Sequence, residues 1–173
     1  MALHGTLILN GADYAPFNLY GVGVFMAHSG QGTFRNNANC AAIPTRGPLP
    51  PGKYWIIERG NGGFVSTLKA KSQDLVNRYF YGAEFNRDEW FALYRDDFGI
   101  DDGTWIDHVH RGLFRLHPGT ISEGCITIAH NSDYGMIRDA LMNTTSIQVP
   151  CMRFLMARGW IEVIDGGFTK ICS

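Results

Sequence analysis

Phe114-Arg-Leu-His-Pro-Gly-Thr-Ile-Ser-Glu-Gly-Cys-Ile-Thr-Ile128 decides how this chain reads. It is a strand, a short loop and a second strand. The first strand ends at His117 and the second begins at Cys125. Strand side chains alternate faces, so Leu113, Arg115 and His117 share one face, and Phe114 and Leu116 the other. Past the loop, Cys125 and Thr127 lie on one face, with Ile126 and Ile128 opposite. If both apolar faces go to the core, Arg115, His117, Cys125 and Thr127 are left on a common open face. A thiol and an imidazole brought together by a tight loop are the parts of a cysteine nucleophile and its base. Gly124 lets backbone N–H groups come close to a reacting carbonyl, as an oxyanion hole requires.

A second marker lies upstream, in Gly47-Pro-Leu-Pro-Pro-Gly-Lys-Tyr-Trp-Ile56. His117 followed by Ser122-Glu-Gly-Cys125-Ile resembles the signature of the YkuD-like L,D-transpeptidases. The upstream segment is similar to the Gly-Pro-Ile-Pro-x-Gly-x-Tyr stretch of one branch of that superfamily, type VI secretion effectors that attack peptidoglycan stem peptides. The sequence departs from the pattern in three places. Glu123 replaces the usual histidine, the loop from His117 to Cys125 is shorter, and Thr127 stands where the classical enzymes often carry Arg or Asn.

The resemblance implies a β-sandwich-like L,D-transpeptidase fold and no cofactor. It implies that Cys125, His117 and Gly124 carry the chemistry. The substrate would be a peptidoglycan tetrapeptide stem, cut between meso-diaminopimelate at its third position and the terminal D-Ala. The product is set by whether water or another amine meets the thioester, giving an L,D-carboxypeptidase or a D-amino-acid exchange. Arg115 is a candidate fork for a substrate carboxylate, or else pairs with an acidic neighbour. Ser122, Glu123 and Thr127 complete the candidate substrate-binding set, with Ser122 read as a hydroxyl that fixes the loop. An antibacterial effector would also engage the type VI secretion apparatus and a cognate immunity protein. It would act in the periplasm of a target bacterium.

The totals are consistent with this. At 173 residues the chain has the length of one domain, read as a single catalytic unit over 1–173 with a loose tail from about residue 166. A formal net charge of −1 gives no basis for binding nucleic acid or an anionic membrane. No run reaches the roughly 18–20 apolar residues of a membrane span. The first residues lack the basic start of a secretory signal, so a protein made in the cytoplasm would leave by another route. The 21 glycines, with abundant aromatics, suit short strands and tight turns. If Cys125 is the nucleophile, Cys40, Cys151 and Cys172 remain. They are three buried thiols, or one disulfide and one free thiol.

Along the chain, strands are expected at Leu3 to Leu9, across the apolar run Asn18 to Ala27, at Lys53 to Glu58, at Trp90 to Arg95, at Ser146 to Val149 and at Trp160 to Ile164. Helical periodicity runs from Phe64 to Tyr81 and from about Asn131 to Met142, and Pro150 opens a helical turn ended by Gly159. Asp96, Asp97, Asp101, Asp102 and Asp107 read as a solvated acidic hairpin or lid. The class is α+β, mostly β, with two or three peripheral helices. Two other functions fit part of the sequence. His108 and His110 share a strand face and suggest a zinc-dependent wall hydrolase. Aromatic richness suggests a wall-binding module without catalysis. No metal site is needed for the cysteine reading.

Overall fold

The computed structural model describes residues 1–59, 85, 87–167 and 170–172. The helix expected from Phe64 to Tyr81 lies outside the described residues. β1 (Leu3–Leu9) is followed by β2 (Ala15–Leu19) and β3 (Gly23–His28). The apolar run read as one strand is therefore a hairpin. Gly21 takes φ +81° and Val22 N–H closes the turn on the Leu19 carbonyl at 2.9 Å. A positive φ is where glycine has no steric penalty, so Gly21 can turn the chain here.

β4 (Gly52–Glu58) and β5 (Phe91–Arg95) come next, then a hairpin of β6 (Gly103–Ile106) and β7 (Val109–Gly112). The central stretch supplies β8 (Arg115–Pro118) and β9 (Ile126–Ile128). α1 (Asn131–Asn143) follows, then β10 (Ile147–Gln148), β11 (Met156–Ala157) and β12 (Gly159–Asp165). The helical turn expected between Pro150 and Gly159 is instead the β10–β11 hairpin, with Val149 N–H on the Leu155 carbonyl at 2.9 Å.

The class is α+β and mostly β, with one α-helix among the described residues. The two layers expected of a sandwich are joined round into one closed barrel. Its eight strands run in the order β1, β12, β4, β5, β8, β9, β3, β2. β1 and β12 are parallel, as are β8 and β9, and the other neighbours are antiparallel. Closure removes the free sheet edges. In an eight-stranded barrel the interior is just wide enough for side chains to fill it. Leu7, Phe17, Phe25, Ala27, Tyr54, Ile56, Phe91, Leu93, Leu116, Ile126, Ile128 and Ile161 form that core. α1 adds Tyr134, Ile137 and Leu141 to the same cluster. Its N-cap is His130.

Of the three cysteines besides Cys125, two pair. Cys40 and Cys172 form a disulfide, and Cys151 is exposed and free. The reading of three buried thiols is overturned. The end of the chain, expected to be loose from about residue 166, is held at residues 170–172. The disulfide anchors it, and Asn37 and Asn39 donate side-chain N–H groups to the Lys170 carbonyl at 3.2 and 3.0 Å.

Candidate active site

Alternation in β3, β8 and β9 sends Phe25, Ala27, Leu116, Ile126 and Ile128 into the barrel. The opposite face lies on the outer wall. There the register aligns His117 with Thr127 across β8–β9, and Thr127 with His28 across β9–β3. His28, Thr127 and His117 thus form a row across three neighbouring strands. Along the outer face of β3, Val24 and Met26 are exposed, whereas His28 is only 2% exposed. The wall passes from solvent to site at that residue.

The expected open face is in fact sheltered. Arg115, His117, Cys125 and Thr127 are all buried. The indole of Trp90 stacks on His117 with ring centroids 4.4 Å apart. Cys125 packs in a small apolar cluster with Trp90, flanked by Phe85 and Ile121. Its Sγ lies 3.9 Å from the Leu113 carbonyl.

The turn that delivers Cys125 is held from three sides. Gly124 has φ +96°, where a side chain is strained. An added Cβ there would also collide with the Arg111 guanidinium and sit 3.1 Å from the Phe114 ring. Arg111 is itself buried, donating to the Ala41 carbonyl at 2.7 Å and the Gly47 carbonyl at 3.0 Å, with Pro48 as a further acceptor. The proline-rich segment seen upstream in the sequence therefore bears on the cysteine turn through one arginine. Ser122 acts as the loop-fixing hydroxyl: its Oγ donates to the Cys125 carbonyl at 2.7 Å and accepts the Gly30 N–H at 3.1 Å.

Of the two roles open to Arg115, the structure has the acidic partner. Arg115 NH1 and NH2 donate to the two carboxylate oxygens of Asp102, each at 2.7 Å. Burial opposes its charge, but the hydrogen bonds and charge of Asp102, with a smaller pull from Cys125, raise its pKa above the ordinary arginine value. Its guanidinium fork is thus occupied by Asp102. The acidic segment is correspondingly only part solvated, since Asp102 is its anchor to the wall. Asp97 and Asp101 cap the Gly99 and Gly103 amides at 3.1 and 2.9 Å. Glu123 is half-buried beside the turn.

His108 and His110 do not share a strand face. Asp107 and His108 form the β6–β7 turn with φ +47° and +66°, and His110 is exposed on β7 against Trp105. The two-residue hairpin breaks the parity on which that pairing relied. Among the described residues no three His, Cys, Asp or Glu side chains cluster as metal ligands.

The two buried imidazoles are both neutral near pH 7. Burial lowers the pKa of His117 to about 4, with the Pro118 carbonyl opposing and His28 and Arg115 adding to the shift. Burial likewise lowers His28 to about 4, helped by Arg35 and opposed by the Thr120 backbone. His117 Nδ1 lies 2.8 Å from the Pro118 carbonyl, an acceptor only a protonated Nδ1 can satisfy. Nε2 of the neutral ring is therefore the bare nitrogen, the one able to take a proton. Thr127 Oγ1 stands 3.4 Å from it and donates to the Ile121 carbonyl at 3.2 Å.

The Tlde1 domain model matches residues 23–152. The chain belongs to this family of type VI secretion effectors, which act on the cell wall. No curated protein matches the sequence. The Tlde1 match starts with the first residue of β3 and contains every residue of the site. Among the described residues no helix is long and apolar enough to cross a membrane.

Three residues of this Tlde1 site were not picked out in the sequence. No motif surrounds His28 in the sequence. Its parity with exposed Val24 and Met26 was the available signal. Trp90 was read only as the start of a strand, and Arg111 carried no mark, since its three carbonyl partners are more than sixty residues away.

Proposed function

We propose that this effector is a cysteine enzyme that cuts the tetrapeptide stem of peptidoglycan, releasing the terminal D-Ala from meso-diaminopimelate, with His117 as base and acid. The observation that carries the reading is the tautomer of His117. Nδ1–H is committed to Pro118, which leaves Nε2 on the side of Thr127, two residues along the same face from Cys125. The Cys125 thiol gives its proton to Nε2 as Sγ bonds to the diaminopimelate carbonyl carbon. Backbone N–H groups of the turn at Gly124 and Cys125 receive the oxyanion. The C–N bond breaks, and the Nε2 proton goes to the departing D-Ala amine. Water then attacks the thioester, giving its proton to Nε2, and the C–S bond breaks to return the thiol. With a D-amino acid in place of water, the same thioester yields an exchanged stem.

Burial of Cys125 and His117 under Trp90 suits a thiol that is idle until a substrate displaces its apolar cover. Action in a target periplasm would require the producer to hold an immunity protein that denies access to this wall of the barrel. Mass spectrometry of muropeptides incubated with wild type and Cys125→Ala, with and without a D-amino acid, tests the reading. Loss of one D-Ala from tetrapeptides with wild type alone supports the carboxypeptidase. A mass shifted to the added D-amino acid supports exchange. Turnover that survives Cys125→Ala overturns the cysteine mechanism.

A further inference from the structure

The row on the outer wall continues beyond the dyad. At its far end His28 is 2% exposed, and neither ring nitrogen has a well-formed hydrogen bond. The Thr120 backbone is near enough to favour its protonated form but lacks the geometry of a bond. Leaving a buried polar group without a partner is costly, and such a group in a folded protein calls for an explanation.

Two loops meet beside this ring. Asn36 clamps them: its N–H donates to the Ser29 carbonyl at 2.8 Å, its Oδ1 accepts the Ser29 N–H at 2.9 Å, and its Nδ2 donates to the Ala12 carbonyl at 2.7 Å. Arg35, next in the chain, is thereby set beside His28, close enough for its charge to bear on the ring. The guanidinium makes one long hydrogen bond, 3.4 Å to the Asp13 carbonyl, and among the described residues it has no carboxylate partner. Tyr14, 43% exposed, meets His28 edge-on at 6.0 Å, on the solvent side of the ring's neighbourhood.

We propose that Arg35 and His28 form the subsite that takes the terminal carboxylate of the bound peptide. Arg115, the other cation of the site, is already spent on Asp102. The spacing is suitable. Two residues of strand rise and one strand spacing put Cys125 and His28 roughly 8 Å apart at Cα. The terminal carboxylate lies one residue beyond the carbonyl that Cys125 attacks, a step of about 3.8 Å, and an arginine side chain spans the rest. A neutral imidazole N–H and a guanidinium together offer a carboxylate one neutral and one charge-assisted hydrogen bond. The subsite would select stems that end in a free carboxylate. It rests on the cysteine reading for the choice of ligand and for the spacing from Cys125.

Binding to the Cys125→Ala protein tests it without turnover. The probes are the synthetic stem tetrapeptide ending in D-Ala and the same peptide with a C-terminal carboxamide, titrated by calorimetry. The acid is expected to bind roughly ten- to a hundredfold more tightly than the amide. Adding Arg35→Gln or His28→Phe is expected to weaken the acid to the level of the amide and leave the amide unchanged. Arg35 is only half-buried, so Arg35→Gln keeps the test decisive if His28→Phe fails to fold. Equal binding of acid and amide, no binding of either, or a preference that survives Arg35→Gln would each overturn the subsite. Failure of the cysteine mechanism would appear separately, as wild type that binds the acid but never releases D-Ala.

Discussion

His117 and Thr127 face each other in register across the parallel pair β8–β9, with Thr127 Oγ1 3.4 Å from His117 Nε2. The hydroxyl proton points to the Ile121 carbonyl, which turns an oxygen lone pair toward the imidazole. That lone pair has no role while His117 is neutral. In the proposed mechanism Nε2 takes the thiol proton, and this lone pair would accept the new N–H. Both nitrogens of the imidazolium then have acceptors, Pro118 on one side and Thr127 on the other.

Thr127→Val keeps the shape and removes the acceptor. We expect kcat to fall about tenfold, the worth of one hydrogen bond to a charged group, with KM nearly unchanged. D-Ala release measured against stem concentration checks this. A rise in KM alone would instead make Thr127 a substrate contact.

The lowered histidine pKa values set two pH dependences. The base form of His117 is present above about pH 4, so the acid limb of kcat/KM should fall near pH 4 and not near 6.5. Stability follows the same groups. Between about 4 and 6.5 the unfolded chain binds protons at His28 and His117 that the folded chain does not. Stability therefore rises with pH through that window, is complete above about 6.5, and is lost as pH falls toward 4. Thermal melting across pH 4–7 measures the slope, and His28→Phe should flatten it.

Arg115 and Asp102 tie the segment leading into the β6–β7 hairpin to β8 through a bidentate pair with side chains 9% and 11% exposed. Asp102→Ala leaves a buried guanidinium without its carboxylate and should cost about 3–5 kcal/mol. Asp102→Leu combined with Arg115→Met should be closer to wild type than either single change. Urea denaturation of the four proteins decides it, since additive losses would mean that the two residues act independently.

The Cys40–Cys172 disulfide joins positions 132 residues apart and holds the chain end against the loop whose carbonyls grip Arg111. Reduction, or Cys40→Ser with Cys172→Ser, should remove roughly 2–5 kcal/mol of stability through the freedom regained by the unfolded chain. A denaturant midpoint that does not move on reduction would show that the crosslink contributes nothing. Cys151→Ser should be silent, as that thiol is exposed and unpaired.

Much of this molecule could be read from local pattern. Period-two alternation put Phe114, Leu116, Ile126 and Ile128 on the core face, and β1 begins and ends where its apolar run does. The Ser-Glu-Gly-Cys turn announced a strained glycine beside a thiol, because a tight loop restricts which residues can sit there. What alternation cannot express is what covers the other face. Trp90, Arg111 and His28 reach the Cys125 wall from distant segments, and their neighbours are chosen by barrel closure. Closure also turned a sandwich-like pattern of strands into one continuous wall, a distinction invisible to alternation because each face keeps the same period in both. It was tertiary contact that gave Asp102, not a substrate, to Arg115, and that paired Cys40 with Cys172. Chain order determines which side chains point together along a strand. Only the packed barrel decides which of them meet a partner: it joins Arg115 to Asp102 and, among the described residues, leaves both ring nitrogens of His28 without one.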